Sequence, residues 1–225
     1  YAYLTINRNK RSMMLDLKKP ECAEVVKRLV SQYDIVLEQF RPGVMKKLGL
    51  DYDSLKAINP GLIYCSITGY GQTGPKQDKA GHDINYLALS GLASYSGTAQ
   101  TGPVLSGTQI ADIAGGSHQA VISILAAVLA RHNSGEGQHL DVSMTDAAFG
   151  LNAMFAAGAL GSGEDPQPGG TMLNGGSFYG YYRTKDNRHL AVGGLEPKFM
   201  TRFFALMGHP QWSELIWHPQ ALKAQ

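Results

Sequence analysis

The sequence has little charge and few cysteines, and each shortage excludes a class of function. Charged residues make up 17% of the 225 residues, and the formal net charge is only +2. Because the basic residues are scattered, no electrostatic footprint for nucleic acid or an anionic membrane stands out. The two cysteines, Cys22 and Cys65, lack the paired spacing of zinc or thioredoxin-type sites. We therefore predict no metal site and a reducing compartment.

Long uninterrupted apolar runs are also absent from the sequence. The longest apolar stretch, residues 113–130, is interrupted by His118, Gln119 and two glycines. This pattern favours a buried helix over a membrane span, and residues 1–10 lack the series of a secretory signal. We expect a cytoplasmic protein without a membrane partner, in the bacterial cytosol or, for a eukaryotic chain, in a peroxisome or mitochondrion.

What the sequence does contain is an alternation of helical and strand-like segments. Apolar residues at helical spacing follow Pro20, and short apolar runs of strand length occupy residues 34–38 and 62–67. A long apolar helix over residues 110–132, a strand over 139–144 and a helix over 145–160 continue the pattern. The alternation predicts an α/β fold with a Rossmann-like parallel sheet.

A change in composition divides the chain. We predict a large α/β domain over residues 1–160 and a linker over 161–176, where glycine, proline, serine and aspartate collect. From residue 177 to residue 225 we predict the start of a smaller α+β domain. Its first strands, 177–183 and 189–192, are joined by a turn at 185–187.

Loops that follow predicted strands are candidate binding sites, because open parallel sheets bind ligands at the carboxyl ends of their strands. In the first such loop, Arg41 precedes a Pro-Gly turn. It is either a phosphate ligand or a solvated surface arginine. The second loop, residues 68–75, has three glycines that allow close backbone approach, but it lacks the P-loop lysine.

Two titratable residues stand at predicted helix starts. His82 follows Gly81 at the start of an amphipathic helix, where it is either a neutral base or a capping residue. Asp112 stands at the front of the long apolar helix, with two glycines a turn later. It is either a shielded functional carboxylate or an N-cap.

Taken together, these segments resemble the class III CoA-transferase family of CaiB/BaiF-type proteins, and within it the α-methylacyl-CoA racemase branch. The resemblance covers motifs along most of the chain: residues 7–12, 15–18, 40–45, 69–75, 81–91, 111–116, 137–142, 174–179 and 190–197. It implies that the family's first strand-turn-helix unit is missing here and that the small domain is truncated at its C-terminus.

The resemblance also implies roles for individual residues. Asp112 matches the carboxylate shared by the family, a nucleophile in transferases and an acid/base in racemases. His82 matches the histidine of the racemase branch, and Glu196 matches a glutamate of the small domain that supports the site. The implied CoA contacts are Leu15, Asp16, Leu17, Lys18, Gln39, Phe40, Arg41, Gly49, Gly81, Asp83, Ile84, Asn85 and Tyr86.

The function that follows from the resemblance is racemisation of 2-methylacyl-CoA thioesters by 1,1-proton transfer. CoA is expected only as part of the substrate, with no permanently bound cofactor, and the protein is expected as an interlocked homodimer in which Glu196 acts across the interface. Backbone amides near His82 or Asp112 are expected to bind the enolate oxygen, and Met172 and Leu173 are candidates to line the acyl pocket. Two alternatives stay open: a CoA-transferase working through an aspartyl-CoA intermediate, and a catalytically silent CoA-binding subunit.

Overall fold

The computed structural model describes residues 1–215. They form two compact units, each built from separate segments of sequence. The first unit contains residues 1–80 and 116–144, and the second contains residues 81–115 and the chain from residue 145 onward. The predicted large domain (1–160), linker (161–176) and small domain (177–225) stay a prediction, and residues 216–225 lie outside the described residues.

The first unit is organised around a parallel three-stranded sheet in the order β1-β2-β3. Strand β1 is Ile35–Glu38, β2 is Ile63–Thr68 and β3 is His139–Ser143. The middle strand, β2, is buried at every residue but Ile67, as expected for a parallel strand with neighbours on both sides. The parallel α/β arrangement confirms the predicted fold class.

Besides the sheet, the first unit contains helices. They are α1 (Ala2–Ile6), α2 (Pro20–Val30), α3 (Val44–Lys47), α4 (Tyr52–Lys56) and α6 (Gln119–Ser134). Pro20 stands in the first turn of α2, where its missing N–H removes no helical hydrogen bond. One core cluster joins α2 to α4 and β2 through buried Ala23, Val30, Leu50, Leu55, Leu62 and Tyr64.

A close backbone approach aligns β3 with β2. The N–H of Gly137 donates to the carbonyl of Pro60 at 2.9 Å, and the N–H of Tyr64 donates to the carbonyl of Gln138 at 2.9 Å. A Cβ atom on residue 137 would lie 1.9 Å from the carbonyl oxygen of Leu62. Only glycine therefore allows the chain to enter β3 in this register.

The second unit combines helices with a hairpin. Its elements, two of which cross the unit boundary, are α5 (Asp83–Leu89), a π-helix (Ala111–His118), α7 (Met144–Leu151), α8 (Ala153–Ser162), β4 (Tyr179–Arg183), β5 (His189–Gly193), α9 (Pro197–Leu206) and a 3₁₀ helix (Pro210–Leu215). Strands β4 and β5 pair antiparallel, as predicted. Met200 and Phe204 of α9 form the core beneath Phe178.

Two predicted helices differ in detail from the structure. The helix predicted over residues 110–132 begins as a π-helix and continues as α6. The helix predicted over 145–160 is broken between α7 and α8 at Asn152, whose side chain accepts a hydrogen bond from the Tyr95 hydroxyl and donates to the Ser90 carbonyl at 3.4 Å. Both differences arise from tertiary contacts that periodicity does not record.

The apolar helix is less buried than its sequence predicts. Within the described residues, the stretch Ala111–Ser134 is long and apolar enough to cross a membrane by length and composition, with a mean hydropathy of 1.6 in its most apolar window. A single such helix is weak evidence, because core helices of soluble proteins meet the same criterion. Only 22% of that window is buried, since α6 packs on the sheet through Ala120 and Ile124. Val121, Ile122, Leu125 and Leu129 are exposed.

Candidate active site

His82 stands at the N-terminal end of α5, where the sequence predicts a helix start. It occupies the N-cap position with extended backbone (φ −132°). Its N–H donates to Oδ1 of Asn85 at 3.0 Å, so the asparagine three positions on fixes the first turn. The His82 side chain is exposed and available to a ligand.

Asp112 lies in the first turn of the π-helix and is also exposed. The first turn of the π-helix is hydrogen-bonded to a residue that lies far away in the sequence. Oδ1 of Asp83 accepts the N–H of Ala111 at 2.7 Å and the N–H of Asp112 at 3.2 Å. Asp83 directly follows His82. The Asp83 carboxylate therefore connects the chain beside His82 to the backbone of Asp112.

A cavity of about 700 Å³ opens beside these residues. Its polar lining consists of His82, Asp83, Asp112, Ser94, Ser106, Thr108 and Gln109, and its apolar lining consists of Ile84, Leu87, Ala88, Ala93, Pro103, Val104 and Leu105. Among the described residues that line it there is no lysine or arginine. The arrangement places two acid/base side chains against a pocket that suits an uncharged organic group.

The protonation state of Asp112 is shifted by its surroundings. Desolvation raises the pKa of the Asp112 carboxyl, the negative charge of Asp83 raises it further, and His82 acts in the opposite direction. A carboxyl group with a raised pKa keeps its proton to higher pH. Its protonated form, which can donate a proton, is therefore populated to higher pH than that of an ordinary aspartate.

Glu196 lies apart from this cavity. It is the exposed N-cap residue of α9 and does not line the cavity of His82 and Asp112. Its assignment to the site, across a dimer interface, stays a prediction.

The acyl-pocket candidates also lie elsewhere. Neither Met172 nor Leu173 lines the cavity of His82 and Asp112, and Leu173 lines a second cavity of about 690 Å³ beside β4 and β5. The segment that supplies the apolar wall, with Val104 and Leu105, was missed by sequence analysis because it has no helical or strand periodicity.

The predicted CoA contacts of the first unit fall in three loops. The stretch Leu15 to Lys18 precedes α2, with Leu17 packed on the core cluster. Gln39, Phe40 and Arg41 follow β1, and Arg41 lines a polar cavity of about 200 Å³ together with Lys46. Gly49 follows α3 with a φ of +65° that favours glycine. The cavity at the end of β1 thus brings together Arg41 and Lys46 with the carboxylates of Glu38, Asp51 and Asp53.

The remaining predicted CoA contacts belong to the second unit. Asp83, Ile84, Asn85 and Tyr86 form the first turn of α5, and Gly81 precedes its N-cap residue, His82. Ile84 is 53% exposed and lines the cavity with His82, whereas Tyr86 is buried. Ile84 and Asp83 are therefore the members of this set that reach the cavity.

The glycine loop after β2 is fixed by a residue that sequence analysis did not single out. Asp141 of β3 accepts the N–H of Gln72 at 2.8 Å, and Oγ1 of Thr68 accepts the N–H of Gly71 at 2.9 Å. Gly71 adopts a φ of +84°.

Among the described residues, no group of three His, Cys, Asp or Glu side chains has the arrangement of a metal site.

Comparison with known proteins gives one consistent family. The sequence model of CoA-transferase family III matches residues 1–222. The chain is 42% identical to the alpha-methylacyl-CoA racemase of Homo sapiens, over 88% of this chain and 52% of that protein. It is 44% identical to the succinate–glutarate CoA-transferase of Agrobacterium fabrum, over 73% of this chain and 41% of that protein.

A solved structure agrees with these sequence matches. The crystal structure of a CAIB/BAIF family protein from Brucella suis superposes with a TM-score of 0.80 and 36% identity, covering 92% of this chain and 55% of that one. The chain thus spans about half the length of the relatives it matches.

Proposed function

Because this chain belongs to CoA-transferase family III, we propose that the protein racemises 2-methylacyl-CoA thioesters by 1,1-proton transfer through an enolate. CoA enters only as part of the substrate, and the acting unit is an interlocked homodimer in the cytoplasm. Glu196 supports the site from the partner protomer. The residues that carry the reaction are His82 and Asp112.

The observation that carries this proposal is that His82 and Asp112 line one cavity. Inversion at a carbon atom requires a base on one face and an acid on the other. In one direction His82 removes the α-proton and Asp112 returns a proton to the opposite face, and in the other direction the roles exchange. Each such group contributes a factor of about 10²–10⁴ to the rate.

The lining of the cavity supports an uncharged acyl group. Burying the second carboxylate of a dicarboxylic acyl chain against Leu87, Val104 and Leu105 leaves that charge without a lysine or arginine among the lining residues. An aliphatic 2-methylacyl chain instead gains from apolar burial, by about 25 cal/mol per Å². We therefore expect faster turnover of aliphatic than of dicarboxylic acyl-CoA thioesters of equal length.

The enolate oxygen needs hydrogen-bond donors, and several backbone amides near His82 and Asp112 already have acceptors within the protein. The N–H groups of Ala111 and Asp112 donate to Asp83, and that of His82 donates to Asn85. These three amides are engaged. We assign the role to the N–H groups of Asp83 and Ile84, the first two of α5, for which the helix itself supplies no carbonyl.

CoA transfer is the second candidate, favoured by the 44% identity to a succinate–glutarate CoA-transferase. In that reaction Asp112 attacks the thioester, and a free carboxylic acid is required as acceptor. His82 has no task in this scheme. A catalytically silent CoA-binding subunit is the third candidate, and the presence of His82, Asp112 and Glu196 argues against it.

The deciding experiment incubates the full-length protein with (R)-2-methylacyl-CoA in D₂O without an acceptor acid and follows the α-position by NMR. We expect deuterium incorporation with loss of chirality. Asp112→Ala and His82→Ala should each slow the exchange by about 10²–10⁴. Matched controls are Asp165→Ala and His132→Ala, which remove the same side chains from exposed positions outside the cavity and should leave the rate unchanged.

Each alternative has its own outcome in the same assay. No α-exchange, but CoA transfer when free dicarboxylic acids are added, would support the transferase. Retained CoA affinity without either reaction would support the silent subunit. Equal loss of exchange in the His132→Ala and His82→Ala proteins would contradict the assignment of His82.

A further inference from the structure

The Asp83 side chain makes hydrogen bonds within the protein that the binding of CoA would not require. Its Oδ1 atom accepts two backbone N–H groups, from Ala111 at 2.7 Å and from Asp112 at 3.2 Å, and it reaches them across 28 and 29 positions of sequence. Asp83 is half-buried, and Ala111 is completely buried. Hydrogen bonds from amides to a carboxylate are charge-assisted and therefore stronger than bonds between neutral groups.

We propose that Asp83 is a positioning residue whose carboxylate holds the start of the helix that carries Asp112 beside the start of the helix that carries His82. The inference rests on the proposed function, because the spacing of His82 and Asp112 affects a rate only if both groups act on one substrate. It adds a role for the Asp83 side chain, whereas the resemblance implies only CoA contact.

The conformation of the helix that carries Asp112 explains why its first turn needs an acceptor such as the Asp83 carboxylate. Ala111–His118 is a π-helix, a conformation that is rare in proteins and is found mostly as short stretches at functional sites. Its first amides, like those of any helix, have no carbonyl of the same helix as acceptor. Asp83 supplies an acceptor to two of them. Without it, the first turn and the Asp112 carboxyl would lose their fixed position.

The charge of Asp83 adds an electrostatic effect to this geometry. Burial is the largest cause of the raised pKa of Asp112, and the negative charge of Asp83 is the next. His82, the other titratable group that acts on this carboxyl, lowers its pKa. Removing the charge of Asp83 should therefore lower the pKa of Asp112.

Two substitutions separate geometry from charge. In Asp83→Asn the amide oxygen can still accept both N–H groups, but the charge is gone. In Asp83→Ala both hydrogen bonds and the charge are lost. We expect Asp83→Asn to keep kcat within a few-fold while the acidic limb of its pH profile moves to lower pH. Asp83→Ala should lose about 10²-fold in kcat with little change in KM, as a displaced catalytic group does.

The experiment measures kcat, KM and pH profiles of α-proton exchange in the full-length wild-type, Asp83→Asn and Asp83→Ala proteins. Asp165→Asn is the matched control, since Asp165 is exposed and outside the cavity. In parallel, ¹³C NMR follows the titration of the Asp112 carboxyl. Far-UV circular dichroism of each variant identifies any that fails to fold. If Asp83→Ala does not fold, the kinetics and the Asp112 titration of Asp83→Asn provide the test.

The outcomes distinguish this inference from the proposed function. A raised KM with unchanged kcat in Asp83→Ala would overturn the positioning role in favour of CoA contact. An unchanged kcat in Asp83→Ala would overturn the positioning role as well, whereas an unchanged Asp112 titration in Asp83→Asn would exclude only the electrostatic effect of Asp83. If the wild-type protein exchanges no α-proton, the proposed function fails. The Asp112 titration, and the rate of CoA transfer in both variants, then still test the contact of Asp83 with the helix of Asp112.

Discussion

The entry of the chain into β3 allows a stability prediction with a clear structural origin. Substituting Gly137 by alanine would place a Cβ atom 1.9 Å from the carbonyl oxygen of Leu62 and 2.6 Å from the carbonyl carbon of Gly61, whereas ordinary contact begins at 3.4 Å. All the atoms it meets belong to the backbone. No side-chain rotation can relieve the overlap, so the two chain segments must separate.

The size of the effect follows from what the separation breaks. It removes the hydrogen bond from the Gly137 N–H to Pro60 and weakens the one from the Tyr64 N–H to Gln138, each 2.9 Å long. Each bond contributes about 0.5–1.5 kcal/mol, and overpacking of a core costs about 1–3 kcal/mol. Since Leu62 is completely buried, we expect Gly137→Ala to lower the free energy of unfolding by about 1.5–6 kcal/mol.

The assay is urea denaturation of the full-length protein, read as the midpoint at an unchanged m value. Gly135→Ala is the matched control: Gly135 has a φ of +75°, and nothing lies within 4 Å of an added Cβ atom. It should lose only about 1 kcal/mol from backbone strain. If Gly137→Ala is no less stable than Gly135→Ala, the close approach of the two backbones is not a constraint, and the reasoning is refuted.

Three further predictions concern a buried thiol, a buried hydrogen bond and the carboxyl group of Asp112. Burial raises the pKa of the Cys65 thiol to about 11, so a thiol reagent at pH 8 should label Cys22 and leave Cys65 unmodified in the native protein; rapid labelling of both would contradict this. Asn152→Ala should lower the free energy of unfolding by about 1–3 kcal/mol, because it leaves the buried Tyr95 hydroxyl without its acceptor. Adding Tyr95→Phe to this variant removes the hydroxyl and should restore most of the lost stability. Desolvation raises the pKa of Asp112, so Asp112→Asn should be as stable as wild type at acid pH and more stable once the pH exceeds that pKa; equal stability at all pH values would exclude a shifted pKa.

The sheet could be predicted from the sequence because its signals are local. Residues 62–67 form an apolar run bounded by a Pro-Gly pair and a glycine loop, and β2 occupies Ile63–Thr68. The hairpin of β4 and β5 likewise follows from a turn in which Asn187 adopts a φ of +60°, a conformation that asparagine tolerates. Each of these elements is specified by residues next to one another in sequence.

The candidate site could be predicted only in part. The resemblance pointed to His82 and Asp112, and the cavity they share lies in the second unit. The π-helix could not be read from residues 111–118, and neither could the hydrogen bond from Ala111 to the Asp83 carboxylate, because Asp83 lies 28 positions away. The apolar wall at Val104 and Leu105 was missed for the same reason: it belongs to an irregular segment whose position is set by its neighbours.

The order of the strands also has a consequence for synthesis on the ribosome. Strand β2 is the middle strand, yet its neighbour β3 comes much later, with His139 at 73 positions beyond Ser66. At about 5–20 residues per second, roughly 4–15 s of translation separate the two strands. During that interval one edge of β2 has unpaired N–H and C=O groups, which is the state in which strands pair with other chains. That edge of β2 can be paired within the chain only after residues 139–143 have emerged.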